Sequence, residues 1–95
     1  MATSRVFVDD DKFRIIEWTI EPGDAIEQHT HEFDYAVVGV EPSVMWAVLP
    51  DGTEFEVVIA PGTAYTRAAG VTHRMENRGS VRVVFTEVEV KAYAG

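Results

Sequence analysis

Turn-forming residues divide this chain into short segments rich in β-branched and aromatic residues. Pro22-Gly23, Pro50-Asp51-Gly52 and Pro61-Gly62 each separate two such segments. Proline fixes one backbone angle and glycine readily takes a positive φ, so these groups predict turns. The pattern gives about eight or nine strands with turns about every 8–12 residues, which indicates an all-β sandwich or barrel. No segment shows a capped helical period.

The predicted strands cover most of the chain, and its length of 95 residues predicts one domain, residues 1–95. The strands are expected at 6–8, 12–20, 25–31, 34–40, 44–49, 53–59, 65–68, 73–76 and 81–91. Trp18, Met45, Trp46, Phe55 and Phe85 are expected in the core or at a dimer interface.

Two histidines stand two residues apart in the strand predicted at 25–31. Because side chains alternate faces along a strand, His29 and His31 are expected to point the same way. Alone, such a pair is more typical of two partly exposed strand histidines than of a metal site. His73 is the third histidine of the chain. We predict that all three meet on one divalent metal ion inside a small barrel, leaving coordination positions open.

The histidines lie in two stretches that resemble the two motifs of the cupin superfamily. In the first motif, Gly23 is followed after five residues by His29-Thr30-His31. The second motif places Gly62, Gly70, His73 and Asn77 at the expected spacing, with Ala68 where the motif has proline. The resemblance implies an RmlC-like cupin fold, a small antiparallel β-barrel also described as a jelly roll or double-stranded β-helix.

The string His-Thr-His-Glu-Phe-Asp-Tyr-Ala-Val-Val is similar to that of small cupins named for β-alanine degradation. Many cupins supply a glutamate as fourth ligand, whereas Tyr35 and Ala36 occupy the usual positions here. A three-histidine site is therefore favoured. Glu32 and Asp34 have the opposite strand parity, and only a bulge would bring one of them inward as a further ligand.

Three further residues are candidates for the surroundings of the metal or for a substrate pocket. Tyr35 shares the parity of the histidines and could donate a hydrogen bond near the metal or close the core. Tyr65 and Arg67 share one face of their strand. Arg67 could hold a substrate carboxylate, or pair at the rim with a surface acid. Asn77 is expected to be structural, holding the turn before the last strand.

The amino-acid composition limits the chemistry of the chain and the classes of partner that it is expected to bind. The chain has no cysteine, which excludes disulfides, thiolate metal sites and a cysteine nucleophile. A formal net charge of −8 argues against nucleic acid and against an anionic membrane surface. No apolar run approaches the roughly 20 residues of a membrane span, and the N-terminus lacks a signal peptide's apolar region. A small-molecule ligand and a cytoplasmic location are expected.

These features favour a metal-dependent enzyme acting on a small organic substrate. Iron would suit a dioxygenase, whereas zinc, nickel or manganese could serve an isomerase or a hydrolase. With no further histidine available, proton transfer would fall to Tyr35, Glu27, water or the substrate. The alternatives are a non-catalytic binding or sensing module and a barrel without metal. The cupin resemblance also implies a homodimer, for which residues 5–8 are a candidate edge strand.

Overall fold

The computed structural model describes residues 2–92, and within them every regular element is a β-strand. The strands are β1 (Thr3–Asp9), β2 (Phe13–Ile20), β3 (Ala25–Thr30), β4 (Asp34–Gly39), β5 (Ser43–Val48), β6 (Glu54–Ile59), β7 (Ala64–Arg67), β8 (Thr72–Glu76) and β9 (Val83–Val90). Each predicted strand is present, with its ends displaced by up to three residues. No helix among these residues is long and apolar enough to cross a membrane.

The nine strands form two antiparallel sheets that face each other. One sheet has five strands in the order β1-β2-β9-β4-β7, and the other has four in the order β3-β8-β5-β6. Strands adjacent in the chain therefore often belong to opposite sheets. The all-β fold with two antiparallel sheets confirms the predicted fold class.

The core lies between the inner faces of the two sheets. Ile20, Met45 and Val83 are among its most enclosed side chains. Of the five large residues expected in the core or at an interface, Met45 and Phe85 are buried. The two tryptophans are half-buried, and 43% of Phe55 is exposed because it lies on β6, at the edge of the smaller sheet.

Asn77 ties the turn before β9 to the rest of the barrel. Its side-chain amide donates hydrogen bonds to the carbonyls of Ile20 and Val81, each at 2.8 Å. Its Oδ1 accepts a hydrogen bond from the Gly79 N–H at 2.9 Å. Because the side chain is almost fully buried and fully engaged with backbone groups, the structural role predicted for Asn77 is confirmed.

Candidate metal centre

The pairing of β3 with β8 brings the first and last histidines side by side. His29 lies directly opposite His73 in this antiparallel pair. Directly opposed residues have Cβ atoms about 4.5–5.5 Å apart, close enough for their rings to approach one atom. Two residues distant in the sequence are thus placed together by backbone register.

A register shift in β3 sets which residues face the barrel interior. Ile26 lies opposite Met75 and His29 lies opposite His73, with the shift between them. Ile26 and His29 differ by three positions, so an unbroken strand would send them to opposite faces. The extra residue of a β-bulge lets both face inward. The unbroken strand predicted over 25–31 is therefore wrong in this detail, and β3 ends at Thr30.

His31 lies just past the end of β3 but remains bound to the opposite segment. Its N–H donates to the Val71 carbonyl at 2.9 Å, and its carbonyl accepts from the Gly70 N–H at 2.8 Å. Gly70 has a φ of +99°, which a residue with a side chain adopts only with strain. The glycine of the second motif thus permits the turn that anchors His31 beside His73.

The three imidazole rings converge through their Nε2 atoms. His31 Nε2 is 3.1 Å from His29 Nε2 and 3.1 Å from His73 Nε2. The ligand atoms of the three residues all lie within 4.8 Å of one another. Two nitrogens bound at right angles to one ion, at about 2.1 Å each, lie about 3.0 Å apart. The donor set and the two shortest separations therefore suit a divalent metal ion.

The protonation of the rings also suits metal binding. His29 Nδ1 lies 2.6 Å from the Glu27 carbonyl, which can only accept, so Nδ1 donates this hydrogen bond and Nε2 is the nitrogen that faces the cluster. Burial, followed by the charges of neighbouring groups, lowers the pKa of His31 to about 4 and that of His73 to about 4. Near pH 7 these two imidazoles are neutral, as a metal ligand must be.

The acidic residues beside the motif do not join this cluster. Among residues 2–92 the metal-competent group comprises the three histidines without a carboxylate. Glu32 is exposed. Asp34 Oδ1 accepts a hydrogen bond from the Ala69 N–H at 2.8 Å and so fastens the loop before Gly70. The bulge lies before His29 rather than after His31, and it does not bring either acid to the histidines.

Tyr35 packs directly against the cluster. Its ring stacks on the His31 ring with centroids 3.9 Å apart and planes inclined by 20°. Burial is the main cause that raises its pKa to about 12, so the phenol stays protonated. In the described part of the chain no hydrogen bond involves the phenol, so Tyr35 acts on His31 through ring contact.

A cavity of about 210 Å³ opens beside His73. Tyr35, Tyr65 and Arg67 line it, as do apolar residues of the smaller sheet including Phe55. The Arg67 guanidinium lies 4.5 Å from the Tyr65 ring centre, and Nη1 donates to the Thr66 carbonyl. No carboxylate within residues 2–92 forms an ion pair with Arg67, so the rim pairing with a surface acid is not observed.

A second and larger cavity, of about 560 Å³, also borders the cluster. His29 and His31 form part of its lining, together with Ile16 and Trp18 from β2. Two acids from β9, Glu87 and Glu89, also line it. Glu27, which was considered for proton transfer, lies at this cavity with a largely exposed carboxylate paired to Arg74.

The sequence interpretation missed Glu87 and Glu89. Both share strand parity with Phe85, a core residue, and this parity was the signal that could have found them. Arg14 Nη2 donates to Glu89 Oε2 at 2.8 Å, whereas no described residue donates a hydrogen bond to Glu87. Burial is the main cause that raises the pKa of Glu87 to about 7.

Comparison with known proteins gives two relatives of nearly the same length and one more distant structure. No protein-family model matches the chain. The β-alanine degradation protein BauB of Pseudomonas aeruginosa is 36% identical over 90 residues, which cover 95% of this chain and 94% of BauB. A cupin domain from Bordetella pertussis Tohama I is 32% identical with a TM-score of 0.90, covering 96% of this chain and 94% of that chain. The polyketide cyclase RemF of Streptomyces resistomycificus is 27% identical with a TM-score of 0.75, covering 96% of this chain and 66% of RemF.

Proposed function

This chain belongs to the cupin superfamily, and on that premise we propose that it is a metal-dependent, dioxygenase-like enzyme acting on a small carboxylic substrate. The observation that carries the proposal is the convergence of three Nε2 atoms, with two separations of 3.1 Å, at the border of two cavities. His29, His31 and His73 would hold one divalent ion. Iron, nickel, zinc and manganese are all compatible with imidazole ligands.

The bound ion would supply Lewis acidity and, as iron, the ability to bind dioxygen beside the substrate. The protein's own residues hold the three rings in place. The Glu27 carbonyl fixes the tautomer of His29, and Tyr35 holds the plane of His31 by stacking. The pairing register of β8 with β3 fixes the position of His73 opposite His29. These contacts favour a site formed before the ion arrives, which lowers the cost of ordering its ligands.

The small cavity supports a carboxylic substrate. Arg67 lines it together with His73, and within the described residues no acid neutralises the guanidinium. A guanidinium binds a carboxylate through two parallel hydrogen bonds. The name of BauB, which refers to β-alanine degradation, agrees with a small carboxylic compound. The name of RemF refers to cyclisation of a polyketide and indicates that related barrels serve other reactions.

The metal site is tested by metal analysis of protein purified from its own host, followed by substitution of one ligand. We expect about one ion per chain in the wild type and loss of the ion in His73→Ala without loss of the β-sheet circular dichroism signal. The matched control is Thr72→Ala, since Thr72 neighbours His73 on β8 and its hydroxyl contacts Thr30 instead. An ion retained by His73→Ala would remove His73 from the site.

The reaction is tested by measuring oxygen uptake after loading the protein with Fe(II) under anaerobic conditions. A panel of small carboxylic acids and diketones should include a compound that is consumed together with oxygen. Ligand binding in a thermal-shift screen without any product, with the metal bound, would instead support a non-catalytic binding or sensing module.

We also propose a homodimer formed through β1. This strand is an edge of the larger sheet, and 55% of Val6 and 45% of Phe7 are exposed. Exposed edges with apolar side chains favour pairing with another strand, here that of a second copy. Light scattering after size exclusion should show a dimer that Phe7→Lys converts to a monomer, while Val81→Lys, an exposed change outside the strands, leaves it intact. A monomeric wild type would refute this.

A further inference from the structure

The larger cavity has two unlike walls. One wall, formed by β3 and the residues just after it, carries His29 and His31, which would bind the metal ion. Its opposite wall, from β2 and β9, is apolar at Ile16 and Trp18 and acidic at Glu87. A ligand that reached from one wall to the other would meet a metal-binding group on one side, and both apolar surface and a carboxylate on the other.

Glu87 has no hydrogen-bonding partner among the described residues, whereas Glu89, the other acid at this cavity, has one. It lies opposite Ile16 on β2 and opposite Val37 on β4, both of which are apolar. Only 7% of Glu87 is exposed, and no donor within residues 2–92 reaches its carboxylate. Glu89 is equally buried, but its carboxylate accepts a hydrogen bond from Arg14. Of the two inward acids, one is paired inside the protein and the other faces the cavity unpaired.

An unpaired buried carboxylate is costly for a folded protein, which rarely retains one without a partner. The pKa of Glu87, raised to about 7 chiefly by burial, reflects that cost. Two N–H donors on β2, Arg14 Nε and Trp18 Nε1, are also unpartnered, but they are enclosed and do not bond to Glu87. The protein therefore does not satisfy this carboxylate with its own groups, and a ligand in the cavity would do so.

We propose that Glu87 binds a primary ammonium group, so that the cavity accepts a small unbranched amino acid with its amine and its carboxylate at opposite ends. The identity of the second end rests on the proposed function, because His29 and His31 would hold the metal ion at the far wall of this cavity. A carboxylate here would bind that ion rather than Arg67, which lines the smaller cavity. An ammonium supplies three N–H donors and one positive charge. The methylene chain between the two ends would pack against Ile16 and Trp18.

The ammonium site is tested first without metal, so that the outcome does not depend on the histidines. Chelator-treated protein is titrated with n-butylammonium and with n-butanol, which share a chain but differ in charge. We expect the ammonium to bind at least about tenfold more tightly, as a charge-assisted hydrogen bond predicts. Glu87→Gln should remove this preference while leaving weak butanol binding unchanged.

The matched control is Glu17→Gln, which makes the same change in charge. Glu17 alternates with Ile16 and Trp18 on β2 and so faces away from the cavity. We expect it to keep the full preference for ammonium. Equal binding of the two probes by the wild type, which needs no variant, would overturn the proposal. Equal losses in both variants would also overturn it, because the effect would then be one of net charge.

The complete ligand is tested with metal-loaded protein. Glycine, β-alanine, 4-aminobutyrate and 5-aminovalerate are compared with the amine-free acids of the same length. One chain length should bind at least about tenfold more tightly than its amine-free counterpart, and Glu87→Gln should abolish that difference. Failure to take up metal would refute the proposed function alone. Uptake of metal with no ammonium preference at any length would refute the role of Glu87 alone.

Discussion

Replacement of Glu87 by glutamine should reveal how much the buried carboxylate destabilises the fold. Burial is the largest cause that raises the pKa of Glu87 from 4.5 to about 7; the charge of Glu89 adds to the rise and that of Arg14 opposes it. Each pKa unit corresponds to about 1.4 kcal/mol, so the whole shift corresponds to about 3 kcal/mol. Glutamine has nearly the same shape and remains neutral at every pH.

The sign of the effect follows from proton binding. Between pH 4.5 and about 7 the folded chain holds the Glu87 proton more tightly than the unfolded chain does. The free energy of unfolding of the wild type therefore falls as pH rises through this window and levels off above it. Glu87→Gln does not lose stability in this way, because glutamine does not titrate. We expect the two proteins to be similar at pH 4.5 and the variant to be more stable by up to about 3 kcal/mol at pH 8.

The measurement is urea unfolding of metal-free protein at several pH values, with a chelator present because a nearby cation would stabilise the carboxylate. The lowered pKa values of His31 and His73 make both proteins lose stability as pH falls, and this loss cancels in the difference between them. Glu17→Gln should stay within about 0.5 kcal/mol of the wild type throughout. A difference that does not change with pH, or a variant less stable at pH 8, would refute the reasoning.

Three further outcomes are expected. Asn77→Ala should lower the free energy of unfolding by about 2–4 kcal/mol in urea titrations, because it leaves buried carbonyls without donors. Gly39→Ala should cost about 1–3 kcal/mol or more, since a Cβ there would lie 2.2 Å from the Ala60 carbonyl oxygen, whereas Gly79→Ala should be better tolerated because its nearest contact would be 3.5 Å. Tyr35→Phe should keep metal affinity by calorimetry, since the ring contact with His31 is retained, while Tyr35→Ala should weaken it by about tenfold; equal affinities in these two variants would contradict the role of stacking.

Local patterns were sufficient for much of the fold and for the composition of the histidine cluster. Strand alternation and turn residues are short-range signals, and they located all nine strands because each strand has one inward face. Two glycines of the motifs, Gly23 and Gly62, take positive φ values where turns were expected. The two motifs together predicted that His73 would join His29 and His31, which neither motif alone could do.

The bulge in β3 could not be predicted from such local patterns. Whether Ile26 and His29 share a face depends on how β3 pairs with β8, and that register is a property of two distant segments. The strand alone favours simple alternation, which is correct for His29 and His31 but wrong for Ile26. Phe55 shows a related limit: it was expected in the core or at a dimer interface, but its exposure depends on the position of β6 at the edge of the smaller sheet.

The pKa shifts inside the barrel follow one rule at the metal centre and at the acidic wall of the larger cavity. The pKa values of His31 and His73 are lowered, and those of Tyr35 and Glu87 are raised. Bases and acids thus shift in opposite directions, but each shift favours the neutral form, and burial is the first cause in all four. A low-dielectric interior that resists isolated charge strengthens the interaction between charges that enter together. A metal ion on three neutral imidazoles brings such a charge, and a ligand with a carboxylate at one end and an ammonium at the other would complement both the ion and Glu87, which a singly charged ligand cannot do.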